Sequence, residues 1–181
     1  MSKSNYKHWK LANDDSNVYW LRADNADSDT NTLSSEVLNE LSGIIEELEQ
    51  SSCRGLIILS DKATGFFAGA DISELQKVTD NAQASEFMRL GQNLFTRIEE
   101  LRFPTVAVIH GFCFGGGLEL ALACKYRIAD ADAKTKLGLP EVKLGIFPAF
   151  GGSARLPLLI GAPAAMDMML SGRALSAGAA K

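Results

Sequence analysis

Short, almost continuously apolar runs alternate along this chain with longer segments whose apolar residues recur every three or four positions. The runs at 18–23, 54–60 and 105–110 have the length of β-strands, and the last two are apolar enough to be buried on both faces of a parallel sheet. The segments 33–50 and 81–101 have helical spacing. This order predicts an α/β fold with parallel strands and right-handed crossovers.

Both ends of the chain carry weaker patterns. Residues 161–172 predict a short helix that ends at Gly172, and the SAGAAK segment at 176–181 resembles the start of another helix. His8 and Trp9 lie in a polar amino-terminal stretch and are expected at the surface or on an edge strand. No repeat and no low-complexity linker divides the chain, so one domain over residues 1–181 is expected.

The composition favours a globular protein without a nucleic-acid or membrane surface. The chain has 181 residues, of which 46% are hydrophobic and 22% charged, enough for one substantial core. Its net charge of -4 and the lack of a basic stripe argue against nucleic-acid and anionic-membrane partners. Residues 105–124 have the length of a membrane span, but His110, Glu119 and a glycine triplet favour a core segment instead.

The cysteines and the amino terminus indicate a cytoplasmic protein. Cys53, Cys113 and Cys124 are odd in number and lack a CxxC spacing, so we expect reduced, buried thiols and neither a disulfide framework nor a metal site. The amino terminus has no apolar core of the length that a signal peptide requires.

Glu119 is the one carboxylate in the otherwise apolar run 105–124. A buried carboxylate without a partner costs several kcal/mol or takes up a proton, so its presence there suggests a chemical task. Three glycines, 115–117, stand directly before it. Glycines at a helix start let a ligand approach bare backbone N–H groups.

Two junctions rich in small residues follow predicted strands: FFAGAD at 66–71 and HGFCFGGGLE at 110–119. In a parallel sheet, ligands bind beyond the carboxyl ends of the strands, where such junctions collect. Two convergent N–H groups there form an oxyanion hole. Asp71 could line the site, but its place before ISELQ favours an N-cap role, and His110 is expected to bond neighbouring backbone.

Glu141 supplies a second carboxylate, in the glycine- and proline-rich segment 138–152. A strand and a turn between Glu119 and Glu141 would bring the two together. Two carboxylates at one site can hold a water and divide the roles of acid and base between them. The alternative is that Glu141 caps a helix or pairs with Lys143 or Arg155 at the surface.

Three segments together resemble the crotonase superfamily of enoyl-CoA hydratases and isomerases: FFAGADI at 66–72, HGFCFGGGLELALAC at 110–124 and GLPEVKLGIFPAFGGSARLP at 138–157. The similarity runs over nearly the whole chain and is greatest to the amino-terminal hydratase/isomerase part of multifunctional fatty-acid oxidation alpha subunits. It implies a crotonase-like α/β fold of repeated ββα units, truncated here at its carboxyl end because relatives continue with further helices.

The resemblance also implies roles for individual residues. The N–H groups of Ala70 and Gly116 match the two arms of the oxyanion hole, and Glu119 and Glu141 match the glutamates that hold a water. Ala68 matches a residue whose backbone helps to bind the adenine end of coenzyme A. We further expect three neighbouring residues to contact the substrate: Gly69, Asp71 and Gly115.

The implied reaction is hydration of a trans-2-enoyl-CoA in fatty-acid β-oxidation, without a cofactor because coenzyme A is part of the substrate. An isomerase acting on 3-enoyl-CoA and an inactive acyl-CoA-binding fragment are the alternatives. NAD would be needed only by a dehydrogenase domain elsewhere in a longer protein, since this chain has no GxGxxG motif. The implied partners are further copies in a trimer, or a thiolase subunit.

Overall fold

A computed structural model describes residues 6–77 and 79–181 and places two β-sheets beside a set of helices. The strands are β1 (Trp9–Asn13), β2 (Val18–Ala23), β3 (Gly55–Ser60), β4 (Gly65–Phe67), β5 (Thr105–Ile109), β6 (Phe112–Phe114), β7 (Tyr126–Ala129), β8 (Lys136–Gly138) and β9 (Ala174–Ser176). The helices are α1 (Ser35–Gln50), α2 (Ile72–Leu75), α3 (Asn81–Glu99), α4 (Gly116–Ala123), α5 (Gly152–Ile160), α6 (Ala162–Ser171) and a 3-10 helix, Glu141–Leu144.

The larger sheet has the strand order β1-β2-β3-β5-β7. Its strands from β2 to β7 run parallel, and β1 pairs antiparallel with β2 at the edge. The predicted strands at 18–23, 54–60 and 105–110 are β2, β3 and β5, and their parallel pairing is confirmed. The apolar runs therefore predicted these three strands and their parallel arrangement correctly.

The pattern of apolar residues predicts no strand of the smaller sheet, β4-β6-β8-β9, and only the family resemblance implies a second strand in each ββα unit. Each of its strands is three residues long, too short for an alternating pattern to be visible. The strands β4, β6 and β8 run parallel. Each follows a strand of the larger sheet and precedes a helical segment, which gives the expected series of ββα units.

Helix α1 packs an apolar face onto the core and begins two residues later than its pattern predicts. Ser34 is the N-cap, because its side chain accepts a hydrogen bond from the Val37 N–H. Leu33 instead forms an isolated parallel bridge with Ala70. Six apolar side chains of α1 are buried: Val37, Leu38, Leu41, Ile44, Ile45 and Leu48. Each such burial contributes about 1.5–3 kcal/mol.

The structure corrects one expectation for the ends of the chain and supports another. Trp9 lies on the edge strand, as predicted, but it is 1% exposed, because its ring packs inward and its Nε1 donates to the Val37 carbonyl at 3.1 Å. The carboxyl-terminal SAGAAK segment has the hydrogen bonds of a first helical turn, since the Ser176 Oγ accepts the Ala179 N–H at 3.2 Å and the Ser176 carbonyl accepts the Ala180 N–H at 3.0 Å. Ser176 ends β9, which pairs with β8, and residues 177–179 form a turn.

Helix α4 lies at the centre, and all 8 of its residues are buried. It approaches β4 so closely that a Cβ placed on Gly117 would lie 2.5 Å from the Phe67 Cβ and 2.9 Å from its carbonyl oxygen. Glycine is needed there because a side chain would push the helix off the smaller sheet. None of the helices in the described part of the chain is long and apolar enough to cross a membrane.

This close packing predicts opposite effects for two helical glycines. Gly117→Ala should lower the free energy of unfolding by about 1–3 kcal/mol, since the added methyl group overlaps Phe67. Gly43→Ala in α1 should raise it by about 0.5–1 kcal/mol, because nothing lies within 4 Å of the new Cβ and alanine favours the helix. Urea unfolding measures both, and a Gly117→Ala protein as stable as the wild type would contradict the account of α4.

Candidate active site

A cavity of about 370 Å³ opens where the three parallel strands of the smaller sheet end. β4 leads into 68–70, β6 leads into Gly115 and Gly116, and β8 leads through Pro140 into the 3-10 helix. Parallel strands end at one edge of a sheet, so three segments that are distant in sequence meet there. Seven of the predicted site residues line this cavity: Ala68, Gly69, Ala70, Gly115, Gly116, Glu119 and Glu141.

Glu119 lies in the first turn of α4 and is 2% exposed. Its Oε1 accepts two backbone hydrogen bonds, from the Phe150 N–H at 2.8 Å and from the Gly152 N–H at 2.7 Å. These bonds fix the carboxylate against the amino end of α5, where the helix dipole favours a negative charge. No described residue donates a hydrogen bond to Oε2, so this oxygen can accept one from a water or a substrate.

The glycine at position 152 makes this contact possible. A Cβ there would lie 2.8 Å from the Glu119 Cγ, so any side chain would displace the carboxylate. The preceding Gly151 has a φ of +106°, in the left-handed region, and serves as the N-cap of α5. The pair of glycines therefore lets the backbone of α5 reach a buried charge.

Glu141 is the first residue of the 3-10 helix and is 8% exposed. Its Oε2 is buried and has no hydrogen-bond partner among the described residues. Its Oε1 lies beside Gly115, where a Cβ would approach to 3.2 Å. The surface-pair alternative is therefore wrong: Glu141 faces the cavity, and Arg155 bonds Glu99 instead.

Burial is the largest cause that raises the pKa of Glu119 to about 7; the Gly152 N–H opposes this shift, and the charge of Glu141 adds to it. Burial also raises the pKa of Glu141. Because two like charges repel strongly in a site of low dielectric constant, the pair favours a state that carries one proton. Such a pair can give a proton and take one in the same reaction.

The Ala70 N–H is directed by a short backbone pairing. Leu33 donates to the Gly69 carbonyl at 2.9 Å, and the Asp71 N–H donates to the Leu33 carbonyl at 3.2 Å. Neighbouring N–H groups of extended backbone point to opposite sides, so the Ala70 N–H points away from Leu33. No backbone or side-chain oxygen of the described residues accepts it.

The Gly116 N–H is the second donor without an acceptor among the described residues. Gly116 is the first residue of α4, where an N–H has no acceptor within the helix. Gly115 turns the chain into the helix with a φ of +52°. A Cβ on Gly69 would lie 3.8 Å from the Gly116 nitrogen, so the two glycine-rich segments are in contact. The cavity therefore has two N–H donors beside two carboxylates.

Asp71 does not line the cavity. Its Oδ1 accepts the Ser73 and Glu74 N–H groups, at 2.9 Å and 3.2 Å, and caps α2. The N-cap interpretation is confirmed, and a substrate contact by its side chain finds no support. His110 bonds the Lys62 carbonyl through Nε2 at 2.8 Å, as expected of a structural histidine.

The backbone donors to Glu119 were missing from the sequence-based prediction. Their only trace is the Phe150-Gly151-Gly152 stretch, where a glycine pair follows an aromatic residue. The Phe150 ring packs between α3 and α4: a Cβ on Gly91 would lie 2.5 Å from this ring, and one on Gly116 would lie 3.2 Å from it. Phe150 thus connects the position of the carboxylate with that of the helix start.

Comparisons with known proteins agree with this geometry. Residues 17–181 match the family model described as enoyl-CoA hydratase/isomerase. Similar curated proteins include "Fatty acid oxidation complex subunit alpha" from Aliivibrio fischeri, 46% identical over 164 residues, which are 90% of this chain and 24% of that protein. The protein of the same name from Shewanella oneidensis is 49% identical over 144 residues, 79% of this chain and 20% of that protein.

Solved structures give the same result for the fold. The crystal structure of an enoyl-CoA hydratase from Bacillus anthracis superposes with a TM-score of 0.88 at 32% identity, over 96% of this chain and 66% of that one. The crotonase-like fold is thereby confirmed. The chain spans about a quarter of the length of the curated relatives that it matches. On the family model, the relatives and the shared fold, the chain belongs to the enoyl-CoA hydratase/isomerase family.

Proposed function

We propose that this chain carries a site that adds water to trans-2-enoyl-CoA thioesters, giving 3-hydroxyacyl-CoA. One observation supports this above all: Glu119 and Glu141 line the same cavity as the free N–H groups of Ala70 and Gly116. The two N–H groups form the oxyanion hole of the proposal. In such a site, two N–H groups can stabilise a negatively charged oxygen, and two carboxylates can bind a water molecule.

The thioester carbonyl would accept hydrogen bonds from Ala70 and Gly116. Negative charge develops on this oxygen as the water oxygen bonds to C3, because the double bond then becomes an enolate. Donors placed beforehand stabilise that charge without reorganisation, and each is worth about 2.7–4 kcal/mol of the barrier.

The hydrogen bonds of the two carboxyl groups indicate which one acts as the base and which one as the acid. Two N–H groups bind Glu119, which favours its charged form, so Glu119 is the base that takes a proton from water. The unpartnered Oε2 of Glu141 suits a protonated carboxyl, so Glu141 is the acid that gives a proton to C2. Water is added as hydroxyl at C3 and hydrogen at C2, and the pair keeps its single proton.

Isomerisation of 3-enoyl-CoA is the second candidate, because the family model covers both reactions. Moving a proton from C2 to C4 needs only one carboxylate. The presence of two in one cavity favours hydration. Product analysis with a 3-enoyl-CoA and a 2-enoyl-CoA would separate the two activities.

The setting of the reaction is part of the proposal. The names of the similar proteins support a role in fatty-acid oxidation. The free, buried cysteines support a cytoplasmic location. Exposed apolar side chains on the 3-10 helix, α5 and α6 support an oligomer contact; they include Leu144, Leu158 and Leu170. A dehydrogenase activity with NAD and a thiolase partner would belong to a longer protein.

Replacing either carboxylate with its amide should stop hydration. Glu119→Gln and Glu141→Gln each remove one proton transfer and should lower kcat about 100- to 10,000-fold. Glu86→Gln on the exposed part of α3 is the matched control and should leave kcat unchanged. Loss of the enoyl thioester absorbance measures the rate. Full activity in either active-site variant would contradict the proposed roles.

The raised pKa of Glu119 predicts a dependence of stability on pH. The pKa of Glu119 is about 7 in the folded chain and 4.5 for an ordinary exposed glutamate, so the folded state binds the proton more tightly. Between these two values the folded chain holds more protons than the unfolded chain, and stability falls as pH rises. The fall should be on the order of 3 kcal/mol.

Urea unfolding at several pH values would test this, with Glu119→Gln as the comparison. The amide does not titrate, so the variant should gain stability relative to the wild type as pH rises from 4.5 to 7, and the difference between the two proteins should stay constant above pH 7. Parallel curves for the two proteins would show that Glu119 keeps an ordinary pKa.

A further inference from the structure

Asn31 is buried completely, although it belongs to the polar stretch DNADSDTNT, 24–32, which connects β2 to α1. Its Oδ1 accepts the Asn25 N–H at 2.9 Å. Its Nδ2 lies 2.9 Å from the Ser60 Oγ and 3.2 Å from both the Ala23 and the Phe66 carbonyl oxygens. Because an amide has two N–H bonds, it shares them among these three acceptors.

These acceptors belong to different parts of the fold. Ala23 and Ser60 are paired residues at the carboxyl ends of β2 and β3 in the larger sheet. Phe66 belongs to β4 in the smaller sheet, two residues before Ala68. The Asn31 amide therefore ties the two sheets together directly before the segment that carries the Ala70 N–H.

The backbone after Asn31 reaches both oxyanion donors. The Asn31 carbonyl accepts the Ala68 N–H at 2.9 Å, and Leu33 pairs with the residues on both sides of Ala70. The Leu33 side chain, 0% exposed, lies against Gly116, where a Cβ would approach Cδ1 to 2.9 Å. The segment 31–33 is thus in contact with both arms of the hole.

The direction of the Ala70 N–H depends on this arrangement. In a regular strand, Ala68 and Ala70 would point their N–H groups to the same side, towards 31–33. Gly69, with a φ of +119°, breaks the regular strand, so that of these two N–H groups only that of Ala68 donates to the segment 31–33. Fixing the peptides on either side of Gly69 holds the Ala70 N–H towards the cavity.

We propose that Asn31 is a positioning residue for the oxyanion hole, which acts by holding the segment 31–33 against both Ala70 and Gly116. It touches no reacting atom. The inference rests on the proposed function, because the two N–H groups matter only if a thioester oxygen binds between them. A shift of about 1 Å in one donor can cost roughly 100-fold in rate.

The test compares Asn31→Ser with Asn17→Ser. Asn17 is also an asparagine with long-range amide bonds, to the Ser52 carbonyl and hydroxyl, but it lies at the opposite ends of β2 and β3. For Asn31→Ser we expect kcat to fall about 10- to 100-fold, with KM within about threefold of the wild type. Asn17→Ser should keep its kcat.

A spectroscopic measurement separates positioning from mere stability. Hexanoyl-CoA with an isotopically labelled thioester carbonyl binds without reacting, and hydrogen bonds from both donors lower the infrared stretching frequency of that carbonyl. In Asn31→Ser the frequency should move back towards that of free hexanoyl-CoA. In Asn17→Ser it should match the wild type.

Each outcome decides the question. Unchanged kcat and frequency in a less stable Asn31→Ser would overturn the proposal, as would equal changes in both variants. If Asn31→Ser does not fold, Ser60→Ala replaces it, removes one acceptor of the same amide, and should shift kcat and frequency in the same direction but less. A wild-type protein that neither lowers the carbonyl frequency nor hydrates enoyl-CoA would instead refute the proposed function.

Discussion

The structure depends on keeping a carboxylate inside a helix that is otherwise fully apolar and buried. An unpaired charge there would cost more than the packing of the helix could offset. The Phe150 and Gly152 N–H groups reduce that cost by binding one oxygen of Glu119. They reach it only because Gly152 has no side chain, so the same constraint that stabilises the carboxylate also brings α5 onto α4.

The cavity follows from how the two sheets are connected. Strands of three residues bury too little surface to fix their own register, so the smaller sheet depends on α4 and on the larger sheet beside it. Because β4, β6 and β8 end at one edge, small displacements there would separate the N–H donors from the carboxylates. The fully buried Asn31 lies where such a displacement would begin.

The sequence predicted those features that leave a periodic or compositional trace. Apolar runs showed β2, β3 and β5, and a charge in an apolar run, followed by a family resemblance, led to Glu119 and its partner Glu141. The short strands and the bonds of Asn31 leave no such trace, since they depend on which backbone oxygens the folded chain brings together. For Asp71 the sequence suggested a role that the structure does not support: this carboxylate follows a loop of the site, but it caps α2.

The proposed reaction requires a thioester oxygen between the Ala70 and Gly116 N–H groups and a water between Glu119 and Glu141. A crystal structure with a bound, unreactive 3-hydroxyacyl-CoA or enoyl-CoA analogue would show whether both conditions hold. We expect the thioester oxygen at about 3 Å from both nitrogens, with C3 and its oxygen facing the two carboxylates. A ligand whose carbonyl contacts neither nitrogen, or whose C3 lies away from both glutamates, would contradict the proposed reaction.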